Sequence, residues 1–427
     1  MKNKKETLLI LIILITISII IFNRDKLYEA KYIEPKDTLL AITINGEIST
    51  TFPTTNAYTG TVECTTGTGK VEWNGSKWVL TTNGITKGST KCNAVFNKKL
   101  TFAETILAKN EVKTPITIPG AAVSTASEAL LASAEDDYGT SYYFRGAVTN
   151  NYVQFANKCW RIVRVGGDGS VKLILHNDNT AGAANPCDAA NNSASAAFAR
   201  YSDTTYKSAF NSSYNDNAYV GFKYGTPGSS TYEATHANTN NSTILTNLET
   251  WYTNNLKTYA DAIADTVWCN DKTNVTDTTY DPYGWNPNGY GYGTNVTYYG
   301  ATQRLVSKSN SAGGTGPSLK CNGELSKINS KVGLITADEL AYAGYAYGKN
   351  NTTTYLQENA TDTYWWSLSP YSFYGDSALV WGVYGSYGSF GYNYVHLTRG
   401  VRPSISLKST TNATGNGTSD SPFIISM

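Results

Sequence analysis

Charge is scarce and balanced in this sequence: 16% of its 427 residues are charged, and 34 basic residues face 33 acidic ones for a formal net charge of +1. No long-range positive field exists to gather a phosphate backbone, and no basic cluster is interleaved with aromatics, so nucleic acid is not an expected partner. Histidine is scarcer. The three histidines, His176, His236 and His396, are scattered, and no C-x-x-C occurs, which argues against metal-thiolate chemistry. Neither G-x-S-x-G nor H-E-x-x-H is present, and the EF-hand pattern fails. No histidine–carboxylate pair can be inferred; His396 is expected as a satisfied strand-end residue, although it could tune a site near neutral pH.

What is present is 41% hydrophobic residues, enough for packed cores, on a chain longer than one average domain. The N-terminus "MKNKK" is followed over residues 7–22 by "TLLILIILITISIIIF" and then "NRDK". This reads as a signal anchor or signal peptide (1–30), with the anchor preferred because no A-x-A-like site follows the run. Lys2, Lys4 and Lys5 would stay cytoplasmic and the remainder would be extracellular, tethered to the membrane, or secreted if cleaved. A pilin leader normally ends in glycine before the apolar segment; here the order is "KKETLL". Six cysteines suit an exported chain, and loop closure and domain grouping favour nearest-neighbour pairs: Cys64 with Cys92, Cys159 with Cys187, Cys269 with Cys321.

Residues 37–101 alternate apolar and polar positions in short bursts separated by glycine and threonine, with Asn-Gly pairs at Asn45, Asn74 and Asn83 suited to tight hairpins. A small disulfide-stapled β-sandwich is expected, with Trp73 and Trp78 in its core. Residues 102–138 read as a connector. The larger domain, 139–427, should contain strands over 159–165 and 171–175 joined by "GGDGS", with Arg161 and Arg164 as ordinary strand-face charges. An amphipathic helix carries Ile244, Leu248, Trp251, Leu256, Tyr259 and Ile263. A strand over 332–335 precedes a helix started by the capping box of Thr336 and Glu339.

Near the end lies "YSFYGDSALVWGVYGSYGSFGYNY" (371–394). Tyrosine, serine and glycine dominate it, the mixture that fills antibody binding loops: rigid amphipathic rings with adaptable spacers. Together "CWRIVRV", "WYTNNL", "VGLITADE", "YWWSLSP" and "GVRPSISL" resemble exported Firmicutes proteins with a C-type-lectin-like C-terminal domain, related to formylglycine-generating enzymes and to variable proteins of diversity-generating retroelements. "KVEWNGSKWVL" and "TKCNAVF" look like the small Ig-like β-module that often precedes it. The resemblance implies an α+β fold in which 371–394 forms a displayed segment, the one that is diversified in the retroelement proteins, before a fixed G-x-R strand (Gly400, Val401, Arg402). Val401, Ile405 and Leu407 would face the core, and Ala378, Leu379 and Val383 would be buried. The expected ligand-binding residues are Tyr371, Phe373, Tyr374, Asp376, Trp381, Tyr384, Tyr387, Phe390, Tyr392 and Tyr394.

These features lead to an exported binding or adhesion protein whose partner is a protein or glycan, with no catalysis and no cofactor. Oxygen-rich loops at Asp277, Asp281, Asn286 and Asn288 would suit a structural calcium, or simply cap turns. Calcium-lectin motifs are not matched by "WCND" or "NPN". The alternatives are a structural surface subunit whose tyrosines pack against neighbours, and an oxidase of the formylglycine-generating type. The latter is disfavoured because no cysteine follows Cys321.

Overall fold

Alternating apolar and polar residues between Leu39 and Lys98 form six strands. The computed structural model describes residues 39–426, so the anchor expected over 1–30 lies outside the described residues. Helix accounts for 13% of the structure and strand for 35%, an α+β composition weighted toward sheet. The chain divides into two units at Leu100/Thr101.

The smaller unit lays the hairpin Thr68–Trp73/Trp78–Asn83 against a four-stranded sheet in which Leu39–Ile44 runs parallel to Lys91–Lys98. Leu40, Ile42, Val71, Trp78, Ala94 and Phe96 fill the space between the layers. Trp78 meets Phe96 and Trp73 edge-on, at 5.0 and 5.9 Å between ring centroids. Cys64 and Cys92 are bonded as expected, directly opposite each other on neighbouring strands of one sheet. Of the Asn-Gly pairs, only Asn45–Gly46 makes a two-residue hairpin: both have positive φ, 51° and 85°, which the twist of the flanking strands favours.

The larger unit begins at Thr101. Residues 102–138 therefore do not connect two domains; they are built into this unit. Helix Phe102–Lys109, started by a Thr101/Glu104 capping box, buries Phe102 and Ile106 in the main core. Strand Ala129–Asp136 pairs along its whole length with Gly139–Gly146. Inside, Glu128 and Arg145 form an ion pair with both side chains fully buried. Glu128 also accepts hydrogen bonds from Ile116, Thr117 and the Thr117 hydroxyl, while Arg145 donates to the carbonyls of Ala341 and Tyr342.

Two large sheets follow. In one, Lys158–Val165 and Val171–Asn177 pair antiparallel as the "GGDGS" turn predicts, and Ser404–Leu407 flanks them. Cys159–Cys187 and Cys269–Cys321 complete the three expected disulfides. Helix Thr243–Asn255 buries Ile244, Leu248 and Trp251 but ends before Leu256, Tyr259 and Ile263, which follow in a short 3-10 turn and an isolated bridge rather than on the same helix. The capping box of Thr336 and Glu339 starts helix Ala337–Ala343, but residues 332–335 make only an isolated bridge at Gly333 rather than a strand. Arg161 and Arg164 are not surface charges: Arg161 is 1% exposed and paired with Glu358, and Arg164 bridges Asp136 and Glu339.

The second sheet carries the tyrosine-rich segment as a meander, Trp365–Tyr374, Ser377–Tyr384 and Ser389–Tyr394, with Arg399–Gly400 on its other side. Pro370, inside a central strand, sits at a register irregularity, where the ladder can spare its missing N–H.

Candidate ligand-binding face

The ten expected display residues separate into a buried set, two exposed sets and the half-buried Tyr392. Tyr371, Phe373, Trp381 and Phe390 are core residues, each 0% exposed, and are corrected here from ligand contacts to packing. Alternation fails because Trp365–Tyr374 is buried along its whole length up to Phe373. It packs against helices Gly300–Leu305 and Ala337–Ala343 and the turn Asn217–Val220. Trp381 lies 4.9 Å from Tyr371 and 4.6 Å from Phe390 between ring centroids, and Tyr392, half-buried, stacks on Tyr371 at 4.1 Å. The Tyr371 hydroxyl bonds to Tyr283, which bonds on to Tyr347.

Tyr374, Asp376 and Tyr394 are exposed at one end of the meander. Tyr374 stacks on Trp285 at 4.1 Å, and Tyr394 neighbours His396. Tyr384 and Tyr387 are exposed at the other end, at the turn into Ser389–Tyr394, and their rings stack at 5.5 Å. With strand Ser377–Tyr384 between them, about 20 Å separates the two ends, so the displayed tyrosines form two sites rather than one patch.

The Tyr384–Tyr387 end is concave. Two clefts open beside it and share Ser386. The larger, 480 Å³, is lined by residues that include Thr149, Tyr152, Arg161, Thr352, Tyr355 and Glu358. The smaller, 280 Å³, is lined by Asp362, Thr363, Tyr364, Tyr384, Ser386 and Arg399. Tyr364 meets the Tyr384 ring edge-on at 4.8 Å, and the Arg399 guanidinium lies over Tyr364.

The tip is clamped onto residues 351–363. Gln357 donates to the Gly385 carbonyl, and the Asn351 amide donates to the Gly388 carbonyl. A Cβ at Gly385 would come within 2.4 Å of the Thr363 carbonyl oxygen, and one at Gly388 within 1.9 Å of that of Asn351. Glycine at these two positions thus serves close backbone approach.

Glu358 organises the larger cleft. Its Oε2 accepts from Arg161 Nη1 (3.1 Å) and Tyr152 Oη (2.9 Å), and its Oε1 accepts from Asn192 Nδ2 (2.7 Å). Arg161 also donates to Asn151 and the Val148 carbonyl, and lies 3.7 Å over the Tyr152 ring. His176 sits behind, 3.7 Å from Glu358 Oε2. Burial, with the charges of Arg161 and Arg402, holds the imidazole well below its usual range, so His176 is neutral and that contact is not an ion pair. Arg402 is buried over Trp365, and burial lowers its pKa to about 10. Tyr355, 3% exposed, has a buried hydroxyl with no hydrogen-bond partner among the described residues.

The sequence reading missed residues 352–361 altogether. Their one signal is Glu358, a single carboxylate in a run of threonine, asparagine and tyrosine. The oxygen-rich loop residues cap turns: Asp277 accepts from Thr279, Asp281 from the amides of Trp285 and Asn286, and Asn288 from Tyr290. Among the described residues no group of three or more His, Cys, Asp or Glu side chains is placed to hold a metal, and no helix is long and apolar enough to cross a membrane. Comparison with protein-family models, curated proteins and solved structures finds no match to this chain.

Proposed function

We propose that this chain is an exported ligand-binding protein of the C-type-lectin-like group, which captures an extracellular protein or glycan at the hairpin tip and does no chemistry on it. One observation carries the reading: a stacked, exposed pair of tyrosines flanks Ser386, the residue that two clefts share, and Tyr384 itself lines the smaller cleft. Aromatic anchors beside concave, partly polar surface are what binding sites concentrate. The three disulfides accord with an extracellular setting. Any diversification compatible with this scaffold is confined at the tip to Tyr384, Ser386 and Tyr387, because Gly385 and Gly388 are held by backbone contact.

The test is binding of the full chain to an array of immobilised glycans and extracellular-matrix proteins. The Tyr384→Ala/Tyr387→Ala double variant is expected to lose the array signal while its thermal midpoint stays within a few degrees of the parent. Retention of the signal in that variant, or its loss only in Tyr374→Ala/Tyr394→Ala at the opposite end, would sink the proposal.

A further inference from the structure

We infer that the larger cleft takes a neutral pyranoside unit of a glycan, recognised directly by side chains. The inference rests on the ligand-binding reading above and gives its ligand a chemical class. The cleft volume of 480 Å³ lies inside the range of small-molecule sites, about 300–1,000 Å³.

Charge decides what fits. The two charged side chains of the lining, Arg161 and Glu358, neutralise each other at 3.1 Å. A phosphate or carboxylate ligand would meet the Glu358 carboxylate, and an ammonium ligand would meet a guanidinium that cannot lose its charge. A neutral ligand incurs neither repulsion.

Hydrogen-bonding capacity decides the rest. A carboxylate has about four acceptor sites, and Glu358 uses three, so acceptor capacity remains beside the cleft. Tyr355 lines the cleft and carries a buried hydroxyl without a hydrogen-bond partner among the described residues, a costly state. Thr149, Thr352 and Ser386 line the cleft, are exposed, and make no side-chain hydrogen bond to the described protein. Hydroxyls both donate and accept, as do the vicinal hydroxyls of a sugar, so the match does not depend on one fixed pattern. Next to Ser386, the Tyr387 ring, 59% exposed, offers an aromatic face of the kind that the C–H face of a pyranose covers.

The probes are maltose, cellobiose, lactose and N,N′-diacetylchitobiose, each titrated into the full chain by calorimetry, with glucuronic acid and glucose 6-sulfate as acidic counterparts. At least one neutral sugar is expected to bind saturably and more tightly than either acid. Thr149→Val/Thr352→Val/Ser386→Ala, which breaks no side-chain hydrogen bond among the described residues, should weaken binding by about tenfold or more, and Tyr355→Phe by about fivefold. Tighter binding of an acidic sugar, or unchanged affinity in the triple variant, overturns the inference. If no sugar binds while the array signal still depends on Tyr384 and Tyr387, this inference fails and the ligand-binding reading stands; loss of both signals ends both.

Discussion

Gly388 shows how one residue type can be misread from composition. In the sequence it belongs to a tyrosine–serine–glycine tract that suggests adaptability; in the fold it is a fixed contact. Its φ is +61°, and a Cβ would sit 1.9 Å from the Asn351 carbonyl oxygen. Gly375, in the opposite turn, has a similar φ of +67° but open space around it. The two positions separate the backbone term from the steric one. Gly375→Ala is expected to cost about 1 kcal/mol, the left-handed penalty alone. Gly388→Ala adds the overlap with Asn351 and should cost about 3 kcal/mol, and it should open the larger cleft by lifting the tip from residues 351–363. Urea unfolding of both variants checks the difference; equal midpoints would refute the close-approach account. The same logic divides the tyrosines. Tyr371 and Tyr384 are indistinguishable by type and neighbourhood, yet one is core and the other exposed, because burial is set by what packs on the strand.

At the scale of elements, local signals were legible and nonlocal ones were not. The "GGDGS" hairpin, the first part of the helix expected to carry Ile244 to Ile263 and the capping box at Thr336 all lie within a few residues of their own cause, and each forms. The segment 102–138 reads as a linker because what fixes it is distant: Arg145 pairs with Glu128 and donates to the carbonyls of Ala341 and Tyr342, tying the Glu128 loop to them. Proline and small residues look like linker when their partners are out of view. The larger cleft was hidden likewise, since Tyr152, Arg161, Glu358 and Ser386 come from four separate stretches. The buried pair supplies a sharp test of the corrected boundary. Glu128→Ala leaves Arg145 buried without its carboxylate and is expected to cost about 3–5 kcal/mol. Tryptophan fluorescence in urea reads this as an earlier transition, because Trp160, Trp251 and Trp381 all lie in the core that Arg145 adjoins. A loss below about 1 kcal/mol, the range of an exposed pair, would return the segment to the status of a linker.

Across the molecule, buried charge is the feature that the balanced composition conceals. Each unit keeps its own apolar core, but the larger one also joins its sheet to helix Ala337–Ala343 through Glu339. That carboxylate accepts from Arg164 (2.9 Å), Lys172 (2.6 Å) and the Thr336 amide (2.9 Å). Burial alone would raise its pKa, but the Lys172 and Arg164 charges outweigh burial and hold it at about 2, below the usual 4.5. The direction of the pH effect follows. The unfolded chain takes up this proton more readily than the folded one, so stability rises with pH through the window between the two values. The contribution is fully present above pH 4.5 and is lost as pH falls toward 2, by about 3 kcal/mol in all. Thermal midpoints of the full chain between pH 6 and pH 2 should fall accordingly, on the order of several degrees. Glu339→Gln should be less stable at pH 6 and show a shallower acid limb, because the neutral amide has no proton to gain. Parallel acid limbs for parent and variant would mean that Glu339 does not carry this dependence, and that the join between sheet and helix is held by apolar packing instead.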